Sequence, residues 1–256
     1  MLYATSLAEI SSNARIKKYP DTDVLQVANA PVFRMPGFEP RERAYAVPAK
    51  GNACDPERAL EVSRARAKAA VRDIALCNHF AYFFTWTLSP EKIDRYDREA
   101  VKKRVCHFLK NLSYRKGFSY VCVPELHKDG AIHFHGLCNL GTVKIHRGVD
   151  ARTGMPAFDK QGRPVYNMTD WTLGFSTCVP IDENYERTCN YLTKYLGKGT
   201  EKIFGKWYLS SRTLIKRPEV ELISGGVDYD SFLKDNPELP VIHLFRDVCM
   251  TTAVQR

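Results

Sequence analysis

The sequence has no apolar stretch long enough to span a bilayer, and residues 1–20 lack the apolar core of a signal peptide. A soluble, cytoplasmic protein with no membrane partner is the expectation. Cys-x-x-Cys is also missing. The eight cysteines are scattered at positions 54, 77, 106, 122, 138, 178, 189 and 249, so a zinc ribbon is not expected. Cys77, Cys122, Cys138 and Cys249 sit inside apolar runs, which suits buried thiols in a reducing compartment and not a secreted disulfide framework. There is no Gly-rich loop ending in Lys-Ser/Thr that would cradle a nucleotide phosphate, so no helicase motor is expected. Internal repeats and low-complexity tracts are absent too.

What is present is enough for one large domain: 256 residues, of which 44% are hydrophobic. The net charge of +9 favours a polyanionic partner, and an aromatic content of 11% supplies rings on which bases can stack. Residues 1–54 read as a polar, irregular arm broken by Pro20, Pro31, Pro36, Pro40 and Pro48. Asp55-Pro56-Glu57 is an N-cap followed by proline in the first turn. It opens a helix to about Leu76 that turns Leu60, Ala67, Val71 and Ile74 to a core. The same helix carries a basic stripe, Arg58, Arg64, Arg66, Lys68 and Arg72, best read as a solvated face.

Residues 81–88 predict a strand in which Phe84, Trp86 and Leu88 alternate with Thr85 and Thr87, one face packing and the other free to meet substrate. A second helix follows from about Arg98, capped by Asp97 and stopped by Gly117, with Val101, Val105, Phe108, Leu109 and Leu112 at helical spacing. Residues 141–180 suggest a loop or β-extension with turns near Asp150–Gly154 and Lys160–Gly162, then a strand at about Leu173–Val179. From Asp182 the period becomes helical, with Tyr185, Cys189, Leu192 and Leu196 on the buried stripe and Gly197 and Gly199 as its end. Residues 55–215 are therefore expected to form the catalytic domain, and residues 216–256 an extension packed on it or tethered to it.

Two stretches carry chemistry. Between Val121 and Leu137, Lys128-Asp129-Gly130 separates two strand-like runs, and Gly130 can take the positive φ that closes a three-residue hairpin loop. In that register Glu125 lies opposite His133 and Val123 opposite His135. Glu125, His133 and His135 then converge on one face, while Phe134 points into the core. Two imidazoles and a carboxylate so placed could hold a divalent metal with positions left for substrate, and Gly136 is expected to leave room beside the second histidine. His127 is a competing ligand.

The second stretch is the doubled Tyr-x-x-Lys of the last long helix. Tyr191 and Tyr195 share a face, beside the buried stripe and not within it, with Lys194 and Lys198 nearby. Forming a phenolate at pH 7 costs about 4 kcal/mol from the ordinary tyrosine pKa, and neighbouring cations offset part of that. Attack of a phenol on a phosphodiester would leave a phosphotyrosine and a free 3′ hydroxyl, so the cut stays reversible.

The order Phe84-Thr85-Trp86-Thr87, Glu125 with His133-Phe134-His135, then Tyr191-Leu-Thr-Lys-Tyr195-Leu-Gly-Lys198 resembles the HUH endonucleases. Among these it is most similar to the two-tyrosine rolling-circle replication initiators of small bacteriophages, plasmids and prophages. The resemblance covers roughly residues 55–215. It implies an α+β fold with a central antiparallel sheet and flanking helices. It also implies metal (magnesium or manganese) on His133 and His135 with Glu125 as third ligand, and origin single-stranded DNA nicked by Tyr191 or Tyr195 in a bacterial cytoplasm.

Thr85, Thr87, Arg187, Lys206 and Arg212 are candidate DNA contacts, and host helicase and polymerase would supply unwinding and synthesis. A transposase or relaxase using the same chemistry is the nearest rival. A non-catalytic single-strand-binding protein, or a metal hydrolase with water as nucleophile, would use only part of the set.

Overall fold

The structure is a computed structural model. It describes residues 11–30, 32–34, 49, 51–198, 201–223, 227–236, 241–246 and 250–255. The expectations at Pro31, Pro36, Pro40, Pro48, Gly199 and Cys249 lie outside the described residues. Two compact units are formed, one of residues 50–216 and one of residues 1–49 with 217–256.

The unit of residues 50–216 is built on a seven-stranded sheet. Helix α1 (Pro56–Asn78) starts where Asp55 accepts a hydrogen bond from the Arg58 amide, and α2 (Arg98–Lys116) starts where Asp97 accepts from the Glu99 and Ala100 amides. Gly117, at φ 66°, ends α2 with a left-handed cap that an L side chain would strain. The strands are β5 (Tyr82–Leu88), β6 (Ser119–Leu126), β7 (Ile132–Asn139), β8 (Ile145–Arg147), β9 (Tyr166–Met168), β10 (Gly174–Pro180) and β11 (Leu209–Ser210). Helix α3 (Tyr185–Lys198) lies between the last two. The spatial order is β11-β6-β7-β5-β10-β9-β8, every neighbouring pair antiparallel. This is the expected α+β architecture with a central antiparallel sheet.

Side-chain alternation divides the sheet into two faces. Phe84, Trp86 and Leu88 of β5, Ile132, Phe134 and Cys138 of β7, and Cys178 of β10 join Val101, Val105, Leu109 and Leu112 of α2 in one buried cluster. Burial of such side chains stabilises by about 1.5–3 kcal/mol each. Within the cluster Trp86 stacks on Trp171 with ring centroids 4.4 Å apart. The opposite face, carrying the odd-numbered residues of β5, β6 and β7, is packed by α3 over β6 and β7, and α3 in turn packs on α1. The 141–180 stretch forms the β8–β9 ladder, with Asp150 and Asp159 closing turns through their carboxylates.

The other unit corrects an expectation. Residues 11–34 and 219–255, read as an irregular arm and a separate extension, pair with each other. β2 (Ala14–Lys18), β3 (Asp23–Ala28), β12 (Glu219–Ile223), β13 (Val241–Arg246) and β14 (Met250–Gln255) form a five-stranded antiparallel sheet in the order β12-β2-β3-β14-β13. Two short strands, β1 (Ser11–Ser12) and β4 (Phe33–Arg34), pair beside it in sequence. Ala14, Leu25, Val27 and Tyr229 make its small core, the last from the short helix α4 (Tyr229–Asp235). The physical reason is that Ala-Arg-Ile-Lys-Lys alternates apolar and basic residues as a half-buried strand does. Pro20 sits in the tight turn between β2 and β3, where the Tyr19 amide donates to the Thr22 carbonyl at 3.0 Å, and breaks nothing.

Candidate active site

The hairpin forms in the expected register. The His127 amide donates to the Ala131 carbonyl at 2.8 Å, the Gly130 amide donates to the His127 carbonyl at 2.8 Å, and Gly130 has φ 84°. Asp129 accepts from the Ala131 amide at 3.0 Å, and that bond, with Arg95 and His127 nearby, holds its carboxyl below the usual range. Two cross-strand rows result. Phe175, Thr87, His133 and Glu125 form one; Thr177, Thr85, His135 and Val123 form the other.

The second row is tightly connected. His135 Nε2 is 3.0 Å from Glu125 Oε2, and His135 Nδ1 is 3.1 Å from Thr85 Oγ1. In the first row His133 Nδ1 lies 3.4 Å from Thr87 Oγ1, and its ring stacks on His127 at 4.8 Å. Burial, then the neighbouring His127, hold His133 below the ordinary histidine pKa and so favour the neutral imidazole, the form that ligates metals. Two imidazoles and a carboxylate on one face suit a divalent cation in kind. Their side chains are engaged with one another and with the threonines, and among the described residues no three His, Cys, Asp or Glu are gathered to hold an ion.

Helix α3 is fixed by Cys189 and Leu192, which are fully buried, and by Leu196, which is nearly so. Tyr185 donates its hydroxyl hydrogen to the Ala75 carbonyl at 2.7 Å and accepts from the Phe80 amide at 2.9 Å. The two tyrosines then meet as expected, the Tyr195 hydroxyl donating to that of Tyr191 at 2.7 Å. Their surroundings differ.

Tyr191 is 46% exposed, with Lys194 Nζ 5.7 Å from its ring centroid. Tyr195 is 9% exposed and stacks on His135 with centroids 3.8 Å apart. The expectation that both lie beside the buried stripe therefore holds for Tyr191 and fails for Tyr195. A helix laid on a sheet buries a wider stripe than its aliphatic residues mark. Burial, and then the bond to Tyr191, push the Tyr195 hydroxyl far above the usual tyrosine range.

Lys206 lines a cavity of ≈ 220 Å³ that also borders Glu125, Tyr195 and Trp207. Thr85 and Thr87 touch the histidines as described. Arg187 and Arg212 are exposed, the first in the opening turn of α3 and the second just after β11. Lys198 ends α3, and its side chain lies outside the described residues.

Two site features differ from the sequence reading. Phe83, which lies 5.6 Å from Tyr191 and 6.5 Å from Tyr195 between ring centroids, went unread although it has the parity of Thr85 and Thr87. Gly136 makes room on the core face and not beside His135. A Cβ there would come within 2.5 Å of the Phe84 ring and 2.6 Å of the Val121 carbonyl.

An antiparallel sheet bearing His-x-His and a carboxylate, under a helix with two bonded phenols, defines a protein of the replication-associated class. In keeping with this, residues 81–200 match the family model described as Replication-associated protein ORF2, a span containing every one of these elements. The match is consistent with a rolling-circle replication initiator and supports that role. No curated protein and no solved structure matches the chain. No helix among the described residues is long and apolar enough to cross a membrane.

Proposed function

We propose that the protein is a metal-dependent, site-specific single-strand DNA endonuclease and strand transferase that nicks an origin through a 5′-phosphotyrosine to start rolling-circle replication. One observation carries this reading: the Tyr191–Tyr195 phenol pair stands directly on His135, which is paired with Glu125.

In the proposed step a phenol oxygen bonds to the scissile phosphorus, the bond to the 3′ oxygen breaks, and the phenol proton leaves as the 3′ hydroxyl forms. Tyr191 presents an exposed oxygen. The hydrogen bond from Tyr195 lies ready to stabilise negative charge on that oxygen, and Lys194 adds positive charge beside the ring. Thr85 and Thr87 orient the two imidazoles. A divalent cation such as magnesium or manganese, held by Glu125, His133 and His135, would supply positive charge to the transferred phosphate. Host helicase and polymerase would act on the 3′ hydroxyl left behind.

The test is incubation with divalent metal and single-stranded DNA labelled on the 3′ side of the cut, followed by denaturing electrophoresis. Label bound to protein, and lost in Tyr191→Phe/Tyr195→Phe, is expected. Binding without any adduct would make the chain a single-strand-binding protein. Cleavage without an adduct would make water the nucleophile. Adduct formation on the ends of a mobile element or a transfer origin, in place of a replication origin, would favour the transposase or relaxase.

A further inference from the structure

Phe175 is a large aromatic residue left 61% exposed on a strand of the central sheet. Single exposed rings are common on protein surfaces. This one is distinguished by its row. In β10 it lies opposite Thr87, which lies opposite His133, which lies opposite Glu125, so the ring shares a face with the candidate site. Helix α3 packs on β6 and β7 of that face and leaves the ring open.

Its position is rigidly set. A Cβ at the neighbouring Gly174 would fall 2.1 Å from the Thr87 carbonyl oxygen, so only glycine lets β10 begin this close to β5. From Phe175 to His133 is two strand spacings, about 10 Å. At about 3.4 Å per stacked nucleotide, that distance is reached within roughly three nucleotides of a phosphate at the histidines.

We infer that Phe175 is a stacking platform for a base of the single strand flanking the scissile phosphate, and so a positioning residue for the DNA. The inference rests on the proposed nuclease reading. The occupant is a nucleic acid strand for two reasons: the chain carries a net charge of +9, and the row on which the ring stands runs without interruption into the site for phosphate chemistry. Thr177, Thr85 and Thr87 beside it give the strand a polar, uncharged floor, on which a base is held by its face and not by a charge.

The experiment uses the full chain with Tyr191→Phe/Tyr195→Phe to prevent cleavage, and a fluorescent single-stranded oligonucleotide. Phe175→Ala should weaken binding measured by anisotropy roughly tenfold, the order of one base–aromatic stack, and Phe175→Trp should restore it. With 2-aminopurine placed at successive positions around the nick, one position within three nucleotides should be quenched by the parent protein and not by Phe175→Ala. In the chain with its tyrosines intact, Phe175→Ala should raise the DNA concentration needed for half-maximal adduct formation and leave the saturating rate within about twofold.

Unchanged affinity and quenching in Phe175→Ala would overturn the inference, as would a change of oligomeric state in place of a change in affinity. If the parent binds single-stranded DNA in a Phe175-dependent way but never forms an adduct, the platform stands and the nuclease reading falls. If the parent binds no single-stranded DNA, both fall.

Discussion

On one face of the seven-stranded sheet Trp86 lies against Trp171, and Phe84 and Phe134 are fully buried beneath α2. On the other, the same strands carry Thr85, Thr87, His133 and His135 under the two phenols of α3. Adjacent residues thus belong to different environments: Phe134 stands between the histidines and shares nothing with them but backbone. Because a pleated strand alternates its side chains, the first face holds the second in place, and substitutions on the two should fail differently.

The largest expected effect is on chemistry. Tyr191→Phe/Tyr195→Phe should remove all covalent adduct while costing only about 1 kcal/mol, since just one hydrogen bond is lost and both rings remain. Of the single variants, Tyr191→Phe should slow the first cleavage more, because Tyr191 is the exposed phenol; equal loss in both would break the asymmetry drawn from their burial. His133→Ala should likewise abolish the adduct with the fold intact. His135→Ala should abolish it and also lower stability, since only 13% of that side chain is exposed.

Phe134→Ala is the reverse case, expected to cost about 3–5 kcal/mol in urea denaturation. A stable Phe134 variant would mean that the faces are assigned the wrong way round. Gly136→Ala should cost about 1–3 kcal/mol through collision with Phe84, visible as a lower melting temperature. Thr85→Val should leave melting unchanged and lower the nicking rate roughly tenfold by freeing the His135 ring to turn.

The smallest effect concerns pH. Because the fold holds His133 below its ordinary pKa, the unfolded chain binds that proton more readily. The contribution is present above about pH 6.5 and lost as pH falls below it. His133→Gln should flatten that part of a urea-midpoint profile taken in chelator.

Local signals in the sequence carried the central unit. The caps at Asp55 and Asp97, the stop at Gly117, and the period of two through β5 and β7 are written within a few residues of where they act. The hairpin register also follows from a local rule, because a three-residue loop with glycine last leaves one way to pair Glu125 with His133.

Features that depend on distant contacts were not legible. Tyr195 looks like Tyr191 in the helix, and only the packing of α3 on β7 shows that one ring is buried on a histidine. β2 and β3 were missed because their partners β12 and β14 are about two hundred residues away, with no turn between to announce them. Phe83 and Phe175 read as ordinary aromatic residues of strands until their neighbours across the ladder are known.

The five-stranded sheet has a consequence for synthesis. β2 and β3 leave the ribosome early, yet β12 begins at Glu219, 191 residues after Ala28 ends β3. At about 5–20 residues per second, that hairpin waits on the order of 10–40 s for its partners. The unit bearing the histidines and tyrosines is one uninterrupted run, and it can close during that interval. A nascent chain would then hold a finished nicking unit while the flanking sheet is still an unpaired hairpin, so a pause late in translation would leave strand edges, and not the catalytic face, open to aggregation.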